Sequence, residues 1–137
     1  MAISCRVTRG DLTESIHVAF GTAVDKNGQV FFSSGDPHYL TCIRSSLKPF
    51  QTAASIKSGA IDSANFSDKE IALMCASHQG EEDHINTAKS MLEKLNLSVE
   101  NYECGSHLPS NKKVRYDMIQ QEIPPTSLHN NCSGKHA

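Results

Sequence analysis

The chain has 137 residues, of which 20% are charged and 38% are hydrophobic, and its formal net charge at pH 7 is −2. This length suits one small domain, and the charge balance offers no basic surface for nucleic acid or an anionic membrane. No apolar stretch is long enough to cross a bilayer, and the first residues lack the pattern of a signal peptide. The odd number of cysteines, five, argues against a closed disulfide framework. We therefore expect a cytoplasmic protein with reduced thiols, in which Cys5, Cys42 and Cys104 are buried as small hydrophobic residues.

The N-terminal third has the alternating apolar pattern of β-strands. Residues 15–24 predict a strand, and the Asn-Gly pair within 25–28 predicts a hairpin turn, because such turns need positive φ. Residues 29–32 return as the partner strand. After a Gly-Asp-Pro turn, residues 38–43 are consistent with a third strand. These elements predict a small antiparallel meander.

Helical periodicity begins after this region. A first helix is predicted over 46–59 and should stop at Gly59. Ser67 and Glu70 form a capping-box pattern that opens a second helix. Further helices are predicted over 82–95 and 112–122. Strands followed by helices, without strict alternation, predict an α+β fold.

The first polar cluster lies at the start of the first predicted helix. Ser45 and Lys48 are three residues apart, so on a helical turn the hydroxyl and the amine point the same way. A lysine that accepts the serine proton makes a nucleophile without a histidine. The same Ser-x-x-Lys spacing recurs at 110–113, and a capping serine followed by a solvated lysine is the alternative interpretation.

A second cluster occupies residues 75–84. His78 and His84 are candidate metal ligands, although their spacing is not a familiar one, and the acidic residues between them also suit the first turn of a helix. Ser77 offers a second hydroxyl, for which the neighbouring sequence identifies no base.

The third cluster ends the sequence. Cys132 and Lys135 can place a thiolate beside an ammonium, or can supply half of a zinc site. The segment 133–135 has some likeness to a phosphate-binding loop. However, His129 stands where that loop needs a glycine, and His136 replaces the hydroxyl residue. The pattern therefore excludes nucleotide binding.

Taken in order, these clusters resemble the thermolabile, Rhizobium-type L-asparaginases, also called the asparaginase II family. The motifs that carry the resemblance are Arg-Ser-Ser-x-Lys-Pro at 44–49, Cys-Ala-Ser-His-x-Gly-Glu-x-x-His at 75–84, Glu-Cys-Gly-x-His at 103–107 and His-Asn-Asn-Cys-Ser-Gly-Lys-His-Ala at 129–137. The resemblance extends from about Val7 to Ala137.

The resemblance implies a fold similar to serine β-lactamases and glutaminases, with a mixed sheet flanked by helices, and assembly as a homodimer. It implies hydrolysis of the side-chain amide of L-asparagine to L-aspartate and ammonia. Ser45 and Lys48 match the nucleophile and its base, and Ser77 matches the serine of a second Ser–Lys pair.

Other residues of the same motifs are predicted to bind ligands. Arg44, His78 and Asn131 are predicted to contact the substrate. Cys132 and Lys135 match residues that help to hold a zinc ion together with a further cysteine.

Members of that family are much longer than this chain, so we expect residues 1–137 to be the N-terminal portion of one asparaginase domain. The missing portion would then supply a further zinc ligand and the lysine partner of Ser77. Two alternatives stay open. One is a different Ser-x-x-Lys amidohydrolase that acts on glutamine or a β-lactam. The other is a non-catalytic zinc- or thiol-binding module.

Overall fold

The computed structural model describes all residues from Met1 to Ala137. The chain divides into two compact units, Met1–Cys42 and Ile43–Ala137, which we call the N-terminal and C-terminal units. All of the catalytic, substrate-contacting and metal-binding residues predicted from the sequence belong to the C-terminal unit.

The N-terminal unit consists of two separate β-hairpins. In chain order its strands are β1 (Ile3–Arg9), β2 (Leu12–Ala19), β3 (Gly21–Val24) and β4 (Val30–Ser34). β1 pairs with β2 and β3 pairs with β4, both antiparallel, so no parallel strand pair of a mixed sheet is present. The predicted strand over 15–24 is interrupted at Phe20, and its two parts join different sheets. Residues 38–43 form no strand, so that prediction is wrong.

The predicted Asn-Gly turn is confirmed between β3 and β4. The N–H of Gly28 donates to the carbonyl of Asp25 at 3.0 Å, and Gly28 has a φ of +80°, which glycine adopts without strain. The Asp25 carboxylate accepts the backbone N–H groups of Gln29 and Asn27, each at 2.8 Å. These hydrogen bonds lower the pKa of Asp25, and they fix the turn locally.

The C-terminal unit is helical. Its helices are a 3-10 turn (Arg44–Leu47), α1 (Lys48–Lys57), α2 (Ala60–Ser63), α3 (Asp68–Cys75), α4 (Glu82–Lys94), α5 (Lys112–Gln120) and α6 (Ser133–His136), with further 3-10 turns at Val99–Asn101 and Ser127–His129. The four predicted helices are confirmed as α1, α3, α4 and α5, to within a few residues. The short helices α2 and α6 were not predicted.

The capping box at the start of α3 is confirmed and anchors a buried charge. Ser67 and Glu70 exchange hydrogen bonds, with the Ser67 N–H donating to the Glu70 carboxylate at 2.6 Å. Glu70 is 3% exposed, and Lys94 and Ser90 of α4 also donate to it, at 2.6 and 2.9 Å. Burial alone would raise the pKa of Glu70, but the hydrogen bonds from Lys94, Ser67 and Ser90 outweigh it and lower the pKa to about 2. The carboxylate therefore joins α3 to α4.

The hydrophobic core of this unit lies between α3 and α4 and the loops that cross them. Its buried members are Leu73, Ala88, Met91, Leu92, Tyr102 and Leu128. The strands and helices together confirm the α+β class, while the likeness to serine β-lactamases stays a prediction. No helix is both long enough and apolar enough to span a membrane. Cys5 and Cys42 are exposed and Cys104 is half-buried, so the expected burial of these thiols is wrong for the first two.

Candidate active site

A polar pocket of about 300 Å³ lies in the C-terminal unit and is lined by Arg44, Ser45, Lys48, Cys132 and Lys135. Folding therefore brings residues of the first and last sequence motifs together. Arg44, the first residue in the chain to line the pocket, has a φ of +52°. This left-handed conformation is uncommon outside glycine, and such strain is often kept at functional sites.

Lys48 is the central charged group of this pocket. Its side chain is 1% exposed, and its ammonium donates to the carbonyl oxygen of Ala76 and, at 2.7 Å, to the hydroxyl of Ser77. The sequence predicted Ser45 as its partner. Ser45 lines the same pocket and accepts the backbone N–H of Lys48 on its carbonyl, but the Lys48 amine donates to Ser77 and not to the Ser45 hydroxyl. The amine that contacts Ser77, which could not be identified from neighbouring sequence, is thus Lys48.

Tertiary packing, rather than local sequence, produces this Lys48–Ser77 contact. Lys48 is the first residue of α1, and Ser77 follows the end of α3 in a loop that we call the Ser77 loop (residues 76–80). α1 packs against α3, which brings the two side chains together. The family resemblance had assigned Ser77 a lysine outside residues 1–137, so the contact with Lys48 was not predicted from the sequence.

His78 follows Ser77 in the chain and is buried, with 4% of its surface exposed. Its Nδ1 accepts the N–H of Gly80 at 3.1 Å, so the proton of the neutral ring lies on Nε2, which donates to the Ser133 hydroxyl at 2.7 Å. Burial, and then the positive charges of His84 and Lys48, lower the pKa of His78 to about 4. The ring is therefore neutral at pH 7. It does not line the pocket, and its substrate contact stays a prediction.

Further hydrogen bonds connect the Ser77 loop to the last residues of the chain. The N–H of His78 donates to the carbonyl of Asn131 at 3.0 Å. His107 accepts the Asn131 N–H on Nε2 at 3.1 Å, while its Nδ1 donates to the Leu108 carbonyl at 2.9 Å. These bonds hold the backbone of Asn131, whose predicted contact with substrate is also untested.

The helix α6 carries Lys135 and follows directly after Cys132, and its position depends on Gly134. A Cβ atom at Gly134 would lie 2.7 Å from the carbonyl oxygen of Leu73 and 2.8 Å from its carbonyl carbon. Contacts this short are not tolerated, so glycine is needed for α6 to approach the last turn of α3. Together with the Ser133–His78 hydrogen bond, this approach places Cys132 and Lys135 at the pocket.

We expect the substitution Gly134→Ala to destabilise the protein by about 1–3 kcal/mol, as overpacking does, even though alanine favours helix formation by about 1 kcal/mol. The clash is with backbone atoms, which cannot rotate away. Urea unfolding measures the loss. Gly105→Ala is the matched control, since a Cβ at Gly105 would meet nothing within 4 Å. Equal stability of the two variants would contradict the close packing of α6.

The residues at the pocket do not make a complete zinc site. Cys132 and Lys135 are two donors, whereas catalytic zinc takes three protein ligands and structural zinc four. No group of three or more His, Cys, Asp or Glu side chains is placed to hold a metal. Burial, and then the neighbouring Cys132, raise the pKa of Cys104. The rings of His78 and His84 stack with centroids 5.1 Å apart.

A buried lysine that contacts a serine hydroxyl beside a polar pocket is the arrangement expected of hydrolases in which lysine takes the place of histidine. The chain matches the L-asparaginase II family over residues 5–137, and it belongs to that family. Family membership confirms the resemblance drawn from the four motifs, and it supports a broad asparaginase-type activity, the hydrolysis of an amide in a small-molecule substrate. No curated protein sequence matches the chain.

Proposed function

We propose that the chain hydrolyses L-asparagine to L-aspartate and ammonia, with Ser45 as the nucleophile and Lys48 as its base. The observation that carries this proposal is the buried Lys48 amine, which lies 2.7 Å from the Ser77 hydroxyl and lines one pocket together with Ser45. Membership of the L-asparaginase II family directs the chemistry toward the side-chain amide of asparagine.

The two serines have different roles in this proposal. A nucleophile must face the substrate, and Ser45 lines the pocket while Ser77 does not. Ser77 accepts a hydrogen bond from Lys48 and so orients the amine toward the pocket. Ser77 is therefore a positioning residue. Lys48 donates a hydrogen bond to the Ser77 hydroxyl and acts as the base for the Ser45 hydroxyl.

The reaction proceeds in two stages. In the first, the Lys48 ammonium releases a proton to solvent, and the resulting amine takes the proton of the Ser45 hydroxyl while the oxygen attacks the amide carbon. The C–N bond then breaks, the departing nitrogen takes the proton from Lys48, and ammonia leaves an ester on Ser45. In the second stage a water molecule gives a proton to Lys48 and attacks the ester. This step releases L-aspartate and restores the serine hydroxyl.

The cationic groups of the pocket suit the charge that develops during this reaction. Arg44 and Lys135 line the pocket beside Ser45, and fixed positive groups stabilise an oxyanion in a tetrahedral intermediate. In this proposal Arg44 binds the carboxylate of the substrate, because a guanidinium matches a carboxylate with two parallel hydrogen bonds. Zinc binding at Cys132 and Lys135, and assembly as a homodimer, stay predictions.

Ammonia release from L-asparagine by the purified chain tests the proposal, with L-glutamine as the competing substrate. We expect Ser77→Ala to lower kcat by roughly tenfold to a hundredfold, because one hydrogen bond to a charged group contributes about 1.5–3 kcal/mol. Ser46→Ala is the control, since Ser46 is exposed and does not line the pocket.

Three other outcomes of these measurements would change the proposal. Turnover of glutamine in place of asparagine would reassign the substrate. Absence of ammonia release from either amide would contradict the proposed function, and an unchanged kcat in Ser77→Ala would remove Ser77 from the mechanism.

A further inference from the structure

We infer that a buried hydrogen bond between His78 and Ser133 positions the hydroxyl of Ser77, and that neither member of this pair contacts the substrate. Because Ser77 orients the Lys48 amine in the proposed function, the inference rests on that function and adds two positioning residues to it. It gives His78 a role different from the substrate contact that the sequence predicted.

The hydrogen-bonding groups of His78 are fully engaged within the protein. A neutral imidazole has one acceptor nitrogen and one donor nitrogen. Its Nδ1 accepts the Gly80 N–H at 3.1 Å, which leaves the ring proton on Nε2, and Nε2 donates to the Ser133 hydroxyl at 2.7 Å. The residue is 4% exposed. The ring therefore has no polar atom left with which to bind a substrate.

Ser133 provides a fixed acceptor for this hydrogen bond. It is 0% exposed and is the first residue of α6. The next residue, Gly134, lies directly against the backbone of Leu73 in α3. Because buried polar groups are costly to leave unpaired, the bond ties the His78 ring to a closely packed helix.

The Ser77 loop is also fixed at its far end. Gly80 has a φ of +77°, and a Cβ atom there would lie 2.8 Å from the Cβ of Pro109. Ser77 lies between the end of α3 and this fixed turn. The His78 ring bonds to the turn on one side and to α6 on the other. Loss of the bond to α6 therefore frees the ring and displaces Ser77, its neighbour in the chain.

Such a displacement affects the proposed reaction through Lys48. The Lys48 amine donates to the Ser77 hydroxyl at 2.7 Å, and hydrogen bonds weaken when distance and angle depart from their preferred values. Misplacement by about 1 Å lowers the rate of an enzyme by up to about a hundredfold. Because the pair acts through Ser77, its loss should cost no more than loss of the Ser77 hydroxyl itself.

Rescue by a conservative variant tests the hydrogen bond. Glutamine carries an N–H donor near the position of the histidine Nε2, whereas methionine has a similar size and no donor. We expect His78→Gln to keep kcat for ammonia release within about threefold of the parent chain, and His78→Met to lower it by about tenfold. KM for L-asparagine should change by less than about twofold in both, since neither loses a substrate contact. Both variants lose the Nδ1 acceptor, so their difference isolates the bond to Ser133.

A double-mutant cycle tests the route through Ser77. In the Ser77→Ala background, His78→Met should cause no further loss of kcat, because the hydroxyl that it positions is already absent. Thr87→Val is the control for loss of a buried hydrogen bond elsewhere. The Thr87 hydroxyl is buried and donates to the Asp83 carbonyl within α4 at 2.6 Å. With kcat expressed per folded protein, this control should match the parent chain.

Hydrogen exchange of backbone amides measures the loop without any turnover. The N–H of His78 donates to the Asn131 carbonyl, and the N–H of Gly80 donates to the His78 ring. In Ser133→Ala both amides should exchange at least about tenfold faster than in the parent chain, because local opening of the loop becomes easier. Thr87→Val should leave both rates unchanged.

The inference is overturned if His78→Gln loses as much activity as His78→Met, if the losses of His78→Met and Ser77→Ala multiply, or if Ser133→Ala leaves both exchange rates unchanged. These outcomes are separate from the fate of the proposed function. Ammonia release with any of them would keep the function and remove the positioning role. Without ammonia release from the parent chain the proposed function fails, and the exchange rates alone decide whether the pair positions the loop.

Discussion

Replacing Ser45 by alanine is expected to lower kcat for L-asparagine hydrolysis by at least about a thousandfold, because loss of the nucleophile from a catalytic unit removes the covalent pathway. The free energy of unfolding should hardly change. Ser45 is exposed, and its hydroxyl makes no hydrogen bond to another side chain, so truncation leaves no buried group without a partner.

Steady-state ammonia release and urea unfolding should be measured on the same preparations of Ser45→Ala, with Ser46→Ala beside it. The two serines are adjacent and both exposed, yet only Ser45 lines the pocket. A larger loss in Ser77→Ala than in Ser45→Ala would make Ser77 the nucleophile, with the contact to Lys48 as its activating hydrogen bond. Full activity in Ser45→Ala would refute the assignment.

The features that local sequence specifies were predicted well. The Asn-Gly turn at 25–28 depends on the positive φ of Gly28 and on the Asp25 carboxylate, and both act within a few residues. The capping box of Ser67 and Glu70 is likewise a local pattern. Such turns and caps can be predicted from the sequence because no distant partner is needed to form them.

Features that depend on distant partners were not predicted. The alternating pattern over 15–24 fits one strand, but the break at Phe20 sends its halves into separate sheets. Residues 38–43 have a strand-like composition and no strand beside them with which to pair. The position of the short helix α6 depends on its close approach to Leu73. This approach cannot be predicted from the sequence of α6.

In the candidate site, too, some features were predicted from the sequence and others depend on distant partners. The motifs identified Arg44, Ser45, Lys48, Cys132 and Lys135, and the structure brings these five residues to one pocket. The spacing of Ser45 and Lys48 predicted that the hydroxyl and the amine point the same way, and both residues line the pocket. The hydrogen bond from the Lys48 amine to Ser77 was not predicted, because it depends on the packing of α1 against α3. A spacing rule describes which side chains share a helix face. It does not include competing partners from another helix.

Replacing Lys48 by methionine is expected to lower kcat by about a hundredfold to ten-thousandfold, the range contributed by a positioned general base. Methionine has a similar length and is apolar, so it fills the buried space of Lys48 without its charge. Ammonia release measures the effect, and Lys113→Met provides the matched loss of an exposed lysine.

Stability separates a catalytic Lys48 from a structural one. Lys48 is a buried charge without an anionic partner, and replacing buried charges by apolar residues of similar size is often neutral or stabilising. The Ala76 carbonyl and the Ser77 hydroxyl each lose one hydrogen bond, which opposes that gain by about 1–3 kcal/mol. We therefore expect a folded, nearly inactive protein whose free energy of unfolding differs from that of the parent chain by no more than this amount. If Lys48 served only to hold α1 to the Ser77 loop, activity would decline only as far as folding does, and conditions that restore folding would restore turnover.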